Sequence, residues 1–583
     1  MIKVSVRISI MFGIFLLSTS FVHLQKKDIV ADNQPNISAM PVLMENDLVR
    51  VEFDSVFGRI SRILDKQRGI GLASPPELAG NFHLQLDLPG GKTAIIMGRE
   101  QNLTESTLSS GGITLKWKGP LKDTTGVVHA VSVQMEVQSS GNALEFKLHL
   151  DNCSPGKIRS VSYPQIGGLA KFGSPGKPAD GMLWAPLCKR FSTKRVKLPF
   201  GKSIFNYPGQ GDGEISMSFT CIESKSAGKS LYFASHDEIA RARQLCFEEQ
   251  VEGQVRDVFA SVRHLPFTLP GKSFHGSPVV LKIVDGDRRE AGQVYRDFFS
   301  RTFGLADPDK DWIRKESFFV FTMFMLPEGT INYTFKDIPR WAKAAKDYGV
   351  NAVQISGWET NGHDNGLPYY TPDPRLGTWK DLEDGIRACH EMGVKVFFFV
   401  NYQQMTLGTS WYKDELHKYR EWKENGDPTY GLGWGYGSLW GRMGYPRLMD
   451  RADLGFPQFR KIITDQFEAL ARIGADGVHV DKMFPDFLSF NPDSPMSPDM
   501  TTWEGAILLT KEIFAACRKH NPNWAMSFEC NWDRMLQFGG STWWVYDQPL
   551  TRAVFPEHAS TEGLRMLTTT CWSTTWFVMV TML

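Results

Sequence analysis

The sequence predicts a multidomain β plus α/β protein, in which an N-terminal β-sandwich precedes a TIM-type (β/α)8 barrel. The first observation is a series of short alternating segments, separated by turn residues, over residues 41–285. The second is the change after Trp312 to strands that alternate with helical periodicity. The third is segment 474–485, where a Gly turn leads into a buried strand that ends on Asp481. A helix, a turn, a strand and an acid form the repeating unit of a parallel α/β barrel.

The composition is that of a globular protein with more than one domain. The chain has 583 residues, of which 42% are hydrophobic and 22% charged, and its formal net charge is +1. This balance gives no sign of the concentrated basic face that nucleic-acid or membrane-surface partners require. The 17 Trp residues are a mild sign of sugar stacking, since aromatic side chains also fill large cores. The 8 Cys residues include no C-x-x-C pair, which excludes the usual zinc spacings and favours free buried thiols.

The N-terminus predicts export. Basic residues within positions 1–7 precede an apolar run at 8–17, which has the length of a signal-peptide core and is short for a membrane span. We therefore predict a signal peptide over residues 1–24, followed by a polar linker over 25–40. The mature protein is expected to be secreted or periplasmic, without a membrane anchor.

The β-sandwich is predicted over residues 41–285 and a helical connector over 286–312, with a helix at 288–301. The predicted sandwich strands are 48–53, 60–64, 82–88, 113–117, 127–137, 143–150, 158–163, 214–222, 230–235 and 279–284.

The barrel is predicted from residue 313 to residue 583. Its predicted strands are 318–325, 352–358, 394–400, 477–480, 524–528 and 543–546, with helices at 338–348, 380–392 and 459–473. Only 36 residues follow Asp547 (583 − 547). A barrel of this type spends roughly 30 residues on each strand and helix. We therefore expect the barrel to be C-terminally incomplete, truncated after about strand six.

Acids, amides and aromatic residues follow the predicted strands at their C-terminal ends, where parallel barrels carry their chemistry. Asp481 follows the fourth strand, Glu529 the fifth and Asp547 the sixth. No Ser–His or Cys–His set, phosphate loop or dinucleotide fingerprint accompanies them, which argues against acyl transfer and nucleotide chemistry. Two opposed carboxylates with amides and Trp suit the cleavage of a glycosidic bond. For Asp481 taken alone, a helix N-cap is an equally simple interpretation.

Three segments resemble parts of known glycoside hydrolases. Segment 354–378 resembles the substrate loop of a bacterial family of glycoside-hydrolase-like barrels, many of undefined function. Gly-Ala-Asp-Gly-Val-His-Val-Asp at 474–481 resembles the nucleophile strand of the α-galactosidase-like clan and of endo-α-N-acetylgalactosaminidase-like enzymes. Residues 46–69 resemble the opening of a galactose-mutarotase-like sandwich, which often precedes such barrels. The resemblance covers most of residues 41–560.

The resemblance implies retaining cleavage of an α-glycosidic bond in an oligosaccharide or polysaccharide, with Asp481 as nucleophile and no cofactor. The acid/base is Glu529 in the endo-α-N-acetylgalactosaminidase-like pattern and Asp547 in the α-galactosidase-like pattern. Glu529 is favoured, because adjacent strands more readily bring two carboxylates to the separation of about 5–5.5 Å that retention needs. The residues expected to hold the sugar are Trp358, Glu359, His363, Asp364, Asn401, His479 and Lys482.

Other interpretations of these residues stay open. His479 fits a satisfied core histidine, and Lys482 fits an ion pair with Asp481 or Asp486. Glu359, His363 and Asp364 could form a metal site of a metal-dependent hydrolase, although their loop context favours contacts to sugar hydroxyls. The main alternative for the whole chain is a catalytically inactive carbohydrate-binding protein on the same scaffold.

Overall fold

The computed structural model describes part of the chain, as follows: residues 40–186, 193–197, 201–209, 214–305, 318–347, 349–432, 448–481, 487–528, 532–538, 541–542 and 577–580. The chain divides into the units Met1–Ala39 and Met40–Leu583, and all described residues belong to the second. The predicted signal peptide and all but the last residue of the predicted linker lie outside the described residues.

Antiparallel strands make up most of the described chain before residue 286. In chain order they are β1 (Val42–Glu45), β2 (Val49–Phe53), β3 (Ile60–Asp65), β4 (Ile70–Ala73), β5 (His83–Leu88), β6 (Lys92–Met97), β7 (Glu105–Ser109), β8 (Gly112–Trp117), β9 (Leu121–Lys122), β10 (Val128–His129), β11 (Val131–Ser140), β12 (Ala143–Asn152), β13 (Lys157–Ile166), β14 (Met182–Pro186), β15 (Thr193–Lys197), β16 (Lys202–Tyr207), β17 (Phe219–Ser224), β18 (Lys229–Ser235), β19 (Arg243–Glu252), β20 (Val255–His264), β21 (Lys272–His275) and β22 (Val279–Asp285).

These strands form two large sheets and two small ones. The first large sheet has the order β15-β14-β17-β18-β22-β12-β11-β8-β7, with β21 paired to β12, and the second has the order β16-β19-β20-β13-β5-β6. Strands β1 to β4 form a separate sheet, and β9 pairs with β10. Buried residues alternate along strands such as β11, and Val133 of the first sheet shares one hydrophobic cluster with Leu84 and Val262 of the second. The boundaries predicted for the sandwich stay a prediction.

One predicted strand is wrong in its first half. The prediction covers 214–222, whereas β17 begins at Phe219. The preceding backbone is bonded away from this ladder, because Ile215 N–H donates to Asn206 and Ser216 N–H donates to Pro186. Buried apolar side chains at Ile215 and Met217 therefore imitate the alternation of a strand.

The described helices are α1 (Arg288–Phe303), α2 (Ile338–Asp347), α3 (Trp379–Glu391), α4 (Ser410–Asp414), α5 (Pro457–Arg472) and α6 (Trp503–Cys517). The helices predicted at 288–301, 338–348, 380–392 and 459–473 correspond to α1, α2, α3 and α5. Helix α6 was not predicted, because two thirds of its residues are buried and no amphipathic stripe marks it. None of the described helices is long and apolar enough to cross a membrane.

The later strands are β23 (Phe318–Met323), β24 (Ala352–Ser356), β25 (Lys395–Asn401), β26 (Gln404–Thr406), β27 (Tyr430–Leu432), β28 (Leu448–Arg451), β29 (Gly477–Asp481), β30 (Ala525–Phe528), β31 (Ser541–Thr542) and β32 (Phe577–Val580). The main sheet has the order β31-β30-β29-β25-β24-β23-β32. Neighbours from β31 to β23 are parallel, whereas β32 runs antiparallel to β23. Strands β26, β28 and β27 form a small antiparallel sheet beside it.

The parallel order agrees with the predicted succession of strands and helices, with two differences. The strand predicted at 543–546 lies outside the described residues, and the strand that pairs with β30 is β31. Strand β32 was not predicted. Closure into an eight-stranded barrel and C-terminal truncation stay predictions.

The cysteines that the structure describes are unpaired. Cys221, Cys246, Cys389 and Cys517 are buried, as expected for structural thiols. Cys153 is exposed, which differs from the expected burial because it lies in the turn that follows β12. The other three cysteines lie outside the described residues.

Candidate active site

The sheet register brings two of the predicted site residues together. Asn401 ends β25, Asp481 ends β29, and the two are register partners. Both are buried, with exposed fractions of 1% and 8%. Alternate residues of a strand point to one face, so the pair Phe399 and His479 lies on the same face as the pair Asn401 and Asp481. The sheet therefore presents a buried amide beside a buried carboxylate at the C-terminal edge of its strands.

His479 lies in the row below this edge, where its bonds are those of a core residue. Its Nδ1 is 2.8 Å from Oγ of Ser527, and its ring centroid is 5.3 Å from that of Phe399. Burial lowers the pKa of His479 to about 4, although the charge of Asp481 opposes this shift. The imidazole is therefore neutral at physiological pH, which supports the core-histidine interpretation over direct acid–base chemistry.

The loop after β24 carries four more predicted site residues and folds back onto the end of β23. Gly357 has φ +65°, which turns the chain, and its carbonyl accepts the N–H of Met325 at 3.1 Å. Further along the loop, His363 N–H donates to the carbonyl of Met325 at 3.2 Å. Asn361 and Asp364 have φ of +69° and +56°, a region that residues with a side chain rarely occupy. Such conformations persist where the surrounding structure holds them, often at functional sites.

Replacing Gly357 by Ala is expected to destabilise the protein by about 3 to 4 kcal/mol. The added Cβ would lie 2.1 Å from the carbonyl oxygen of Met325, in addition to the strain of positive φ. Gly393→Ala is the matched control, because Gly393 has φ +77° and open space around it, and should cost only about 1 kcal/mol. Urea unfolding measures both, and equal losses would show that the Met325 contact does not matter.

His363 fastens this loop to the sheet. Its Nδ1 is 2.5 Å from Oγ of Ser356, and its ring centroid is 5.0 Å from that of Phe399. Its Nε2 lies 3.9 Å from Oδ2 of Asp364. The side chain is 1% exposed, so it holds the loop against the sheet from within the protein.

Glu359 is a buried acid in the same loop. Its Oε1 accepts a long bond of 3.4 Å from the N–H of Asp364, and its Oε2 has no hydrogen-bond partner within the described part of the chain. Burial raises the pKa of Glu359 to about 8, and the charge of Asp364 adds to this shift. The side chain is 2% exposed. At neutral pH, Glu359 is therefore protonated and can donate a hydrogen bond from Oε2.

Tyr370 is a buried residue of the same loop whose hydroxyl group bonds to the end of β25. Burial raises the pKa of its hydroxyl well above the usual value, and Glu359, Asp364 and Asp481 each add to this shift through their charge. Its hydroxyl donates to the carbonyl of Asn401. Carboxyl groups from two different segments therefore act electrostatically on one buried phenol. Sequence reasoning missed Tyr370, and the one signal for it was its position within the 354–378 segment.

The amide of Asn401 is oriented by the turn that follows it. Its Oδ1 accepts the backbone N–H groups of Gln403 at 3.0 Å and Gln404 at 2.9 Å. Only the carbonyl oxygen of an amide can accept these two hydrogen bonds, so they fix the orientation of the amide group and the position of Nδ2. Nδ2 is buried without a hydrogen-bond partner among the residues described, so it is a donor available to a ligand beside Asp481.

Trp358 is enclosed by other side chains, whereas a sugar-stacking residue needs an exposed ring face. Its side chain has no exposed surface, its indole N–H donates to Phe399 at 3.2 Å, and its ring packs 4.9 Å from Phe398 and 6.1 Å from Tyr370. A sugar contact by Trp358 stays a prediction. Three predicted residues lie outside the described residues: Lys482, Glu529 and Asp547.

The described residues contain no group of three or more His, Cys, Asp or Glu placed to hold a metal ion. The site offers buried carboxyl groups, of which Glu359 is protonated at neutral pH, together with an amide donor and a neutral imidazole. These groups can bind hydroxyls and stabilise positive charge on a sugar ring.

Comparisons with known proteins identify the fold. No family model matches the chain. No curated protein matches it either.

Solved structures match it at low sequence identity. The α-N-acetylgalactosaminidase NagBb from Bifidobacterium bifidum, in its GalNAc complex, has a TM-score of 0.62 and 13% identity, covering 88% of this chain and 83% of that chain. A variant of the GH36 α-galactosidase AgaA from Geobacillus stearothermophilus, in complex with stachyose, has a TM-score of 0.57 and 12% identity, covering 89% of this chain and 77% of that chain. The galactosidase domain of the α-galactosidase–sucrose kinase AgaSK has a TM-score of 0.53 and 11% identity, covering 87% of this chain and 74% of that chain. The chain therefore has a multidomain, glycoside-hydrolase-like fold.

Proposed function

We propose that the protein is a glycoside hydrolase that cleaves an α-glycosidic bond with retention of configuration. The observation that carries the proposal is the position of Asp481, which is buried at the C-terminal end of a parallel strand as the register partner of the buried Asn401. The similarity of the fold to α-galactosidases and an α-N-acetylgalactosaminidase supports the same class of reaction.

In the proposed reaction, a carboxylate oxygen of Asp481 attacks the anomeric carbon and the bond to the leaving oxygen breaks. Glu529 donates its proton to that oxygen, and then takes a proton from the water that hydrolyses the glycosyl–Asp481 ester. The register supports this pairing, because Val480 pairs with Phe528 and the next residues of the two segments are Asp481 and Glu529. Asp547 remains the alternative acid/base.

The remaining residues are proposed to hold the sugar. Nδ2 of Asn401 and the protonated Glu359 would donate to hydroxyl oxygens, whereas Asp364 would accept from a hydroxyl. Lys482 is proposed to lie beside the nucleophile and keep it ionised. The ligands of the solved neighbours, GalNAc and stachyose, make α-galactosides and α-N-acetylgalactosaminides the first substrates to test.

We also propose that the six parallel strands belong to a (β/α)8-type barrel. The order from β23 to β31 follows the chain, and helices α2, α3, α5 and α6 lie between successive strands. Export through the predicted signal peptide is part of the same proposal, since a polysaccharide substrate lies outside the cell.

A panel of aryl α- and β-glycosides tests the reaction and its stereochemistry. We expect turnover of an α-galactoside or α-N-acetylgalactosaminide, with the α-anomer of the free sugar as the first product in a time course followed by NMR. A β-anomer formed first would contradict retention. Sugar binding without turnover of any glycoside would favour the carbohydrate-binding alternative.

Replacing Asn401 by Asp is expected to lower kcat/KM by about 10- to 100-fold, because a hydrogen-bond donor is lost and a negative charge is added. The variant keeps the oxygen that orders Gln403 and Gln404, but loses the Nδ2 donor and places a second carboxylate beside Asp481. Asn152→Asp is the control, because this buried amide lies in β12 and should change stability without changing turnover per folded molecule. Equal kcat/KM in the Asn401→Asp variant and the parent would remove Asn401 from the site.

A further inference from the structure

Two histidines face each other on the outer surface of the first large sheet. Strands β12 and β21 are antiparallel, and His149 is the direct register partner of His275. The next pair, Leu150 and Phe274, is buried, so the two imidazoles lie on the opposite, solvent-facing side. Their ring centroids are 4.2 Å apart and their Nδ1 atoms are 3.0 Å apart. The sheet therefore holds two imidazole nitrogens within reach of one ligand.

A carboxylate orients one of these imidazoles from behind. Nε2 of His149 lies 3.2 Å from Oδ1 of Asp151, and the same oxygen accepts the hydroxyl of Ser273 at 2.6 Å. The tautomer in which Nε2 of His149 donates to Asp151 leaves the lone pair of Nδ1 directed toward His275. A carboxylate on the far nitrogen is the usual support of a metal-binding histidine.

We propose that His149 and His275 form a two-histidine site for a divalent transition-metal ion. Metal–nitrogen bonds are about 2.0–2.1 Å long, so two neighbouring ligands at a right angle lie about 2.9 Å apart. The measured separation of 3.0 Å matches this arrangement. Right-angled nitrogen ligation favours Cu²⁺ and Ni²⁺ over tetrahedral Zn²⁺, with water in the remaining positions. The site is remote in sequence from β29 and does not depend on the proposed hydrolase activity.

Titration calorimetry of the complete, untagged chain with CuSO4, NiCl2 and ZnSO4 tests the site. We expect one ion per chain and affinities in the order Cu²⁺, Ni²⁺, Zn²⁺. His149→Ala and His275→Ala should each remove this binding, and Asp151→Asn should weaken it by about 10-fold or more. Electron paramagnetic resonance of the Cu²⁺ form should show coupling to imidazole nitrogen in the parent and lose part of it in either histidine variant.

His520→Ala is the matched control, since His520 is a partly exposed histidine that lies 2.9 Å from Glu468 in another part of the chain. Its binding isotherm should equal that of the parent. Because both histidines face solvent, their variants are expected to fold. Circular dichroism checks this. Equal binding in all variants, or no binding in the parent, would overturn the site and leave a hydrogen-bonded histidine pair only.

Discussion

Replacing Asp481 by Gly is expected to lower kcat/KM for an activated aryl α-glycoside by roughly 10⁴- to 10⁶-fold, the range seen when a covalent nucleophile is removed. The variant lacks the carboxylate that is proposed to form the glycosyl ester, whereas the groups proposed to hold the sugar, such as Asn401 and Glu359, are unchanged. The loss should therefore fall on kcat rather than on sugar binding, which a competition assay with the free sugar measures.

Sodium azide should restore part of this activity. Azide can enter the space left by the side chain, attack the anomeric carbon and displace the aryloxide, so the product is a β-glycosyl azide. Asp476→Asn is the matched control at the opposite end of β29, where Asp476 is held by His390 at 2.7 Å and Lys395 at 3.0 Å. That variant should lose stability and keep its turnover per folded molecule. Wild-type activity in Asp481→Gly without azide would eliminate Asp481 as nucleophile.

Replacing Glu359 by Gln is expected to make the protein more resistant to alkaline pH. Because the folded-state pKa is raised to about 8 from 4.5, the folded protein keeps a proton that the unfolded chain has released. Stability of the parent should therefore fall as pH rises from about 4.5 to about 8, and Gln has no such loss. Above pH 8, the free energy of unfolding of the variant should exceed that of the parent by up to about 4 to 5 kcal/mol.

Urea unfolding at pH 4.5 and pH 9 measures this difference. Glu383→Gln is the control, because Glu383 lies on the exposed surface of α3 and its variant should follow the parent at both pH values. An equal effect of Glu359→Gln at the two pH values would contradict a protonated Glu359.

Activity gives a second test of the same proton. Gln keeps a donor where protonated Glu359 has one, so Glu359→Gln should retain most activity near pH 6.5, whereas Glu359→Ala should lose it. The parent should lose activity as pH rises through about 8, and the Gln variant should not. If Gln and Ala were equally inactive, the ionised carboxylate would be the working form.

Much of the architecture follows from local patterns in the sequence. The period-two alternation of β2 and β11, the apolar run of β25 and the acid that ends β29 are all local, because a strand buries one or both of its faces over only a few residues. Local patterns did not predict α6, because a helix that is buried on most sides has no amphipathic stripe.

For the candidate site too, the sequence predicts the residue types, whereas the tertiary structure sets their spatial relations. Its residue types stand at the ends of strands in the sequence, which is why Asp481, Asn401 and Glu359 could be named in advance. Their relations are long-range: the register of β25 with β29, the burial that protonates Glu359, and the enclosure of Trp358 all depend on packing. Tyr370 is identified only from the contact between its loop and the end of β25, where its hydroxyl bonds to Asn401.

The histidine pair makes the contrast sharpest. His149 and His275 are 126 residues apart, and no local sequence pattern near either histidine predicts that the two meet. Local alternation is enough to place each of them on the solvent face of a strand. Their approach to 3.0 Å is set by the antiparallel pairing of β12 with β21, because register is a property of two strands together and is not encoded in either one alone.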